Sequence, residues 1–115
     1  MYTNIFIYKI FTNMIHKNKK KYLDIYLQWN KKKAIDIAKK ELISMNKNHW
    51  EIIFLLRKFY KEFNFTPNIR MFINFARKIL KTEKINSIYL FKLFPKGPIH
   101  QGSKISGIPK PSRCL

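Results

Sequence analysis

From Asn30 onward the apolar residues of this chain recur at three- and four-residue steps, in runs set apart by asparagine, threonine, proline and glycine. That period lines them up on one side of a helix, and each such side has to be buried against another element. In KKKAIDIAKKEL, Ala34, Ile35, Ala38 and Leu42 keep the step, and Asn30 stands where a capping side chain belongs. Asn46 is placed to cap the next run, KNHWEIIFLLRKFYKEF. There Trp50, Ile53, Leu56, Tyr60 and Phe63 form a core stripe, while Lys58 and Glu62 lie four apart on another face. Thr66 followed by Pro67 predicts a helix start, because proline at the first helical position loses nothing by lacking an N–H. This helix is expected to reach about Leu80 with Ile69, Phe72, Ile73, Ala76 and Ile79 inward. Thr82 is placed to cap a helix across EKINSIYLFKLF, which PKGP at 95–98 ends. A short helical turn then fits IHQGSKIS, and Gly107 releases the chain.

Before Asn30 the pattern changes. Residues 4–27 are rich in Ile, Phe, Tyr and Thr without a sustained helical period, which suits short strands, with Asn18 and its neighbouring lysines as a turn. The apolar opening, MYTNIFIYKIFTNMI, is followed by the lysine run at 17–21 and has no small-residue cleavage site, unlike a secretory signal, which places its positive charge first. Asn4, Lys9 and Asn13 break it below the roughly 20 apolar residues of a membrane span. The expectation is a soluble cytoplasmic protein with no membrane partner. At 115 residues, 46% hydrophobic and 16% aromatic, the chain suffices for one packed domain.

Charge is the extreme feature: 24 Lys plus Arg against 6 Asp plus Glu, a formal +18. Such an excess attracts polyanions, nucleic acid above all. A drift toward Lys, Ile, Asn and Phe, as an A/T-rich coding sequence produces, accounts for it equally well. Arg70, Arg77, Lys78 and Lys81 gather with Asn74 on the outer side of the helix that begins near Pro67. They make either a track for a phosphate backbone, that is, a tRNA or partner contact, or a solvated face.

Chemistry-bearing patterns are few. His16, His49 and His100 lack metal-ligand spacing with the single cysteine, and His49, in a first helical turn, reads as a packing or capping group. There is no glycine-rich phosphate loop, paired-carboxylate set or serine nucleophile, and nothing calls for a cofactor. One cysteine cannot form an internal disulfide. What remains is Cys114, in GIPKPSRCL at 107–115. Arg113 and Lys110 favour its thiolate, whereas the carboxylate of Leu115 opposes it. Pro109 and Pro111 bias the segment toward extended polyproline conformation at about 3.1 Å per residue, so it can reach on the order of 20 Å from the body. It is either an arm that delivers a thiol into another protein or a tail with an incidental cysteine.

The motif GIPKPSRCL, together with YLDIYLQW at 22–29, HWEIIFLLRKFYKEFNFTPNIRM at 49–71, NSIYLFKLFPKGP at 86–98 and QGSKIS at 101–106, resembles the DsrC/TusE family of small sulfur carriers. The resemblance covers about four fifths of the chain, residues 22–115. It implies an α+β fold, mostly helical: a small N-terminal β-meander (1–28) packed on about five helices (29–106), with a mobile C-terminal arm (107–115) in the same single domain. It implies that Cys114 is the catalytic residue, holding sulfur as a cysteine persulfide, with Arg113 and Lys110 in support. Its implied partners are a TusBCD-like sulfur-donor complex and an MnmA-like thiouridylase that makes 2-thiouridine at the tRNA wobble position, tRNA being touched directly or through that enzyme. Family members that serve dissimilatory sulfite reductase carry a second arm cysteine eleven positions earlier, where this chain has Ser103. That difference favours simple persulfide carriage. Two other readings stay open: a DsrC-like interaction or regulatory partner without sulfur chemistry, and a non-catalytic basic RNA-binding module. The segment before Tyr22 is more apolar than the family pattern, and its strand boundaries are not fixed by it.

Overall fold

The computed structural model describes residues 27–111. Five helices run through them: α1 Lys31–Lys40, α2 Lys47–Phe63, α3 Ile69–Leu80, α4 Ser87–Leu93 and α5 Pro98–Ser106. No strand occurs among the described residues, so the expected α+β class is corrected to a helical one. Nearly all of the β-meander expected over 1–28 lies outside the described residues. The two positions of it that are described, Leu27 and Gln28, are helical.

Asparagine starts four of the five helices. The side chains of Asn30, Asn68 and Asn86 accept from Lys33, Met71 and Tyr89 N–H at 2.8, 2.9 and 2.8 Å. Asn46 accepts from Asn48 and His49 N–H at 2.9 and 3.2 Å, and the Nδ1 of His49 accepts in return from Asn46 N–H at 3.2 Å. This is a capping box with histidine in the place usually taken by glutamate. Because Nδ1 accepts, the proton sits on Nε2, which donates to the Leu93 carbonyl at 2.9 Å. The buried ring also meets Phe94 edge to face at 5.3 Å, so His49 joins the start of α2 to the end of α4.

Two expected starts move. Pro67 does not open α3; Asn68 caps it and Ile69 begins it, because the amide of Asn68 reaches Met71 N–H while the Thr66 hydroxyl is used elsewhere. Thr82 accepts from Lys84 N–H at 3.1 Å within a turn, and α4 begins at Ser87 after buried Ile85 has docked. Several expected core positions lie further out. Phe63 is 45% exposed, Leu42 86%, and Ile35 and Ile79 are near the surface too. On α2 the buried apolar set is Ile52, Ile53, Leu55, Leu56, Phe59 and Tyr60, a wider arc than one stripe, because α2 packs on α3 and α5 at once.

The organising element is α5. It packs on α1, α2 and α4, and seven of its nine residues are buried. Gly102 allows that approach: a Cβ there would lie 2.6 Å from Leu56 Cδ1. On the opposite flank Gln101, fully buried, donates to Glu41 Oε1 at 3.2 Å and accepts from Lys96 N–H at 3.0 Å, while Lys104 pairs with Glu41 Oε2 at 3.4 Å. These partners, Gln101 first and then Lys104, hold the Glu41 carboxyl below its ordinary value against the opposing effect of desolvation.

Candidate functional site

The last turn of α5 carries the root of the arm. A helix end leaves its final carbonyls without intrahelical partners. Here Gly107, at φ +75, closes the helix by donating its N–H to the Ser103 carbonyl at 3.1 Å. The carbonyls of the last two helical residues, Ile105 and Ser106, are taken by side chains from distant parts of the chain. Trp29 Nε1 donates to the Ile105 carbonyl at 2.7 Å, and Arg57 Nη1 to the Ser106 carbonyl at 2.7 Å. The two donors also hold each other, since the Arg57 guanidinium lies over the Trp29 ring at 4.1 Å, a cation–π stack. Trp29 is fixed in turn by the edge of Phe54 at 6.1 Å.

Beyond Gly107 the chain stays on the body. Ile108 is buried, and the Pro109 carbonyl accepts from the Thr66 hydroxyl at 2.6 Å. Lys110 is exposed and Pro111 half-buried, so the chain does not leave the body at Gly107. Gly107 itself is boxed in: a Cβ would meet Trp29 Cδ1 at 2.7 Å. Beside this root runs a groove of about 510 Å³ with Trp29, Ile37, Ile108 and Pro109 as its apolar walls and Lys33, Lys104 and Lys110 among its lining.

Of the residues singled out from the sequence, Cys114 and Arg113 lie outside the described residues, and Lys110 borders the groove. Ser103 is not on the arm. It is 1% exposed within α5, and its hydroxyl donates to the His100 carbonyl at 3.0 Å. Arg70, Lys78 and Lys81 are exposed, whereas Arg77 is half-buried and donates through Nε to the Ile85 carbonyl at 2.7 Å. Arg70 and Arg77 share a groove with Asn86 and Ser87, while Lys78 borders a different one beside Phe63 and Phe65. Among the described residues, no group of His, Cys, Asp or Glu could hold a metal ion, and no helix is long and apolar enough to cross a membrane.

Trp29, Arg57 and Thr66, which hold the root, were not among the sequence candidates. Their bonds to it span 76, 49 and 43 positions, and the only sign of them was their presence in the stretches that carry the family resemblance.

A helical body that ends in a gripped root and a GIPKPSRCL tail defines a class. The family model described as "DsrC like protein" matches residues 9–115, and the chain belongs to that family. Sulfurtransferase TusE of Buchnera aphidicola subsp. Acyrthosiphon pisum is 52% identical over 101 residues, which cover 88% of this chain and 89% of that one. Sulfurtransferase TusE of Escherichia coli strain K12 is 46% identical over 94 residues, 82% of this chain and 86% of its own. The NMR structure of Allochromatium vinosum DsrC superposes with a TM-score of 0.70 at 38% identity, covering 76% of this chain and 79% of that chain. The activity class is that of a sulfurtransferase, a carrier in sulfur transfer.

Proposed function

We propose that this protein is a cytoplasmic persulfide carrier for tRNA thiolation, with Cys114 as the residue that bears the sulfur. The observation that supports it best is the pairing of a single cysteine, three residues beyond Pro111, with a root whose carbonyls are held by three side chains from distant parts of the chain. The Cys114 thiolate attacks the outer sulfur of a donor persulfide. The donor's S–S bond breaks, the donor leaves as a thiolate, and Cys114 becomes a persulfide with no net oxidation. An acceptor thiolate then takes the outer sulfur, and Cys114 leaves as thiolate. Both steps are governed by access and thiolate fraction.

The donor in this reading is a TusBCD-like complex and the acceptor an MnmA-like thiouridylase acting on the wobble uridine. Ser103, a buried helical hydroxyl, offers no second thiol, which favours carriage over the paired-cysteine chemistry of sulfite reduction. Arg70, Lys78 and Lys81 are the cations available for a tRNA contact. Incubation with a small-molecule persulfide donor followed by intact-mass analysis tests the reading. The expected gain is one sulfur atom on the terminal peptide, absent in Cys114→Ser; no gain in the parent protein overturns it.

A further inference from the structure

We propose that the groove beside α5 and Ile108 is a docking site for an acidic protein segment that carries an apolar anchor, and that this segment belongs to the protein exchanging sulfur with Cys114. The role of that protein rests on the carrier reading; the chemistry of the segment rests on the groove.

The groove is built from three parts of the chain: Trp29 ahead of α1, Lys33 and Ile37 on α1, and the stretch from Ser103 to Lys110. At about 510 Å³ it lies in the range of roughly 300–1,000 Å³ that takes a small ligand or a few side chains of a peptide. Trp29, Ile37 and Pro109 are only half-buried along it, so apolar surface stays in contact with water until something covers it. The ionisable groups in its lining are Lys33, Lys104 and Lys110, and no carboxylate lines it. Glu41 engages Lys104 at 3.4 Å, whereas Lys33 and Lys110 make no ion pair among the described residues. Charge of one sign over apolar walls concentrates anions of the opposite sign. Nucleic acid fits this arrangement poorly. Trp29 already carries Arg57 on its ring at 4.1 Å and Gly107 close against Cδ1, so it is not the open ring on which a base stacks. A duplex backbone would meet the lysines and leave Ile37 and Pro109 uncovered. An acidic segment with a leucine-like side chain answers both the charge and the walls.

The covalent chain places a sulfur-exchange partner here. Four residue steps separate Lys110 from Cys114, and in any conformation they span at most about 14 Å. An ordinary protein interface covers about 800 Å² on each side, which is a disc of about 16 Å radius. A protein that meets the thiol therefore has Lys110, and the groove that Lys110 lines, within its footprint.

Because Cys114 is the only cysteine, disulfide exchange with it is read without ambiguity. Three synthetic peptides serve as probes, each with one cysteine: one of Glu and Leu, one of Glu and Ser, and one of Lys and Leu. Each cysteine is held as a mixed disulfide with thionitrobenzoate. The Cys114 thiolate attacks the peptide sulfur, the S–S bond of the probe breaks, and the aryl thiolate leaves and is read by its absorbance. Rates are taken relative to those of the same peptides with 2-mercaptoethanol, a neutral thiol. At 0.15 M salt, where the screening length is about 8 Å, the Glu/Leu peptide is expected to react roughly 10- to 100-fold faster than the other two. Lys33→Glu, at an exposed position, is expected to lower that rate roughly tenfold. Lys92→Glu on α4, outside the groove and of equal net charge, is expected to leave it nearly unchanged. Ile37→Asp puts a carboxylate into the apolar wall and lowers the rate independently; if it does not fold, Lys33→Glu still decides. Equal rates for the Glu/Leu and Glu/Ser peptides would mean attraction by charge alone and overturn the proposal, as would equal losses in Lys33→Glu and Lys92→Glu. Alkylation by neutral iodoacetamide is expected to be the same in Ile37→Asp as in the parent; a change matching that of the peptide would make the chain's own end the occupant and overturn the proposal too. Loading by a small-molecule persulfide donor, read by mass, reports separately on the carrier reading, since disulfide exchange needs no persulfide.

Discussion

Gly107→Ala is expected to destabilise the protein through two effects that can be measured apart. At φ +75 an alanine pays about 1–2 kcal/mol for its Cβ in the left-handed region. The new methyl would also sit 2.7, 3.1 and 3.2 Å from Trp29 Cδ1, Cγ and Cβ. Trp29 has little room to yield, because its Nε1 is bonded to Ile105 and one ring face is covered by Arg57. Overpacking of that kind costs about 1–3 kcal/mol, for a combined loss of about 2–5 kcal/mol. With an unfolding entropy of about 2.1 cal/mol/K per residue over 115 residues, the melting midpoint falls by roughly 8–20 °C. Thermal unfolding followed by circular dichroism reads the total. Repeating the substitution in a Trp29→Leu background leaves mainly the backbone share, about 1–2 kcal/mol, and the difference is the steric coupling. Equal losses in both backgrounds would refute the reasoning, since they would mean that Trp29 yields freely and that the root is not rigid.

Other consequences follow from the same packing. Gly102→Ala places a methyl 2.6 Å from Leu56 Cδ1 and is expected to cost about 1–3 kcal/mol; a denaturation cycle with Leu56→Val should show a favourable coupling, because the smaller side chain admits the methyl. Glu41 has a folded-state value lowered from 4.5, so its stabilising share is complete above that pH and is lost as the pH falls through the lowered value. The melting-midpoint gap between the parent and Glu41→Gln is therefore expected to be constant near neutrality and to shrink below about pH 4.5. Leu42 stands at φ 60 with its side chain 86% exposed, so Leu42→Asn is expected to stabilise by about 0.5–1 kcal/mol in a chemical-denaturation series, asparagine tolerating that conformation.

What the sequence conveyed was local. Asn30 and Asn46 were legible as caps because their partners lie two and three residues away, and the ends of α4 and α5 because proline and glycine act on their own backbone. The starts of α3 and α4 were misplaced where two capping residues compete within a few positions. Thr66 and Asn68 carry equal local promise, and the choice falls to Asn68 because a carbonyl 43 residues away takes the threonine hydroxyl. The β-meander came with the resemblance, and the helical residues Leu27 and Gln28 depart from it. The arm motif was readable as a motif; its grip was not, since nothing near Arg57 announces a contact with Ser106.

That grip has a further consequence for how the tail can vary. Each of the three long-range side-chain bonds to residues 105, 106 and 109 is made to a main-chain carbonyl, an atom that all amino acids share. The body thus recognises the path of the tail while remaining largely indifferent to its letters, with buried Ile108 and boxed-in Gly107 as the exceptions. A tail of different composition grafted after Ile108 would seat in the same socket, and substitution there is free to follow the demands of whatever receives the thiol without loosening the fold that carries it.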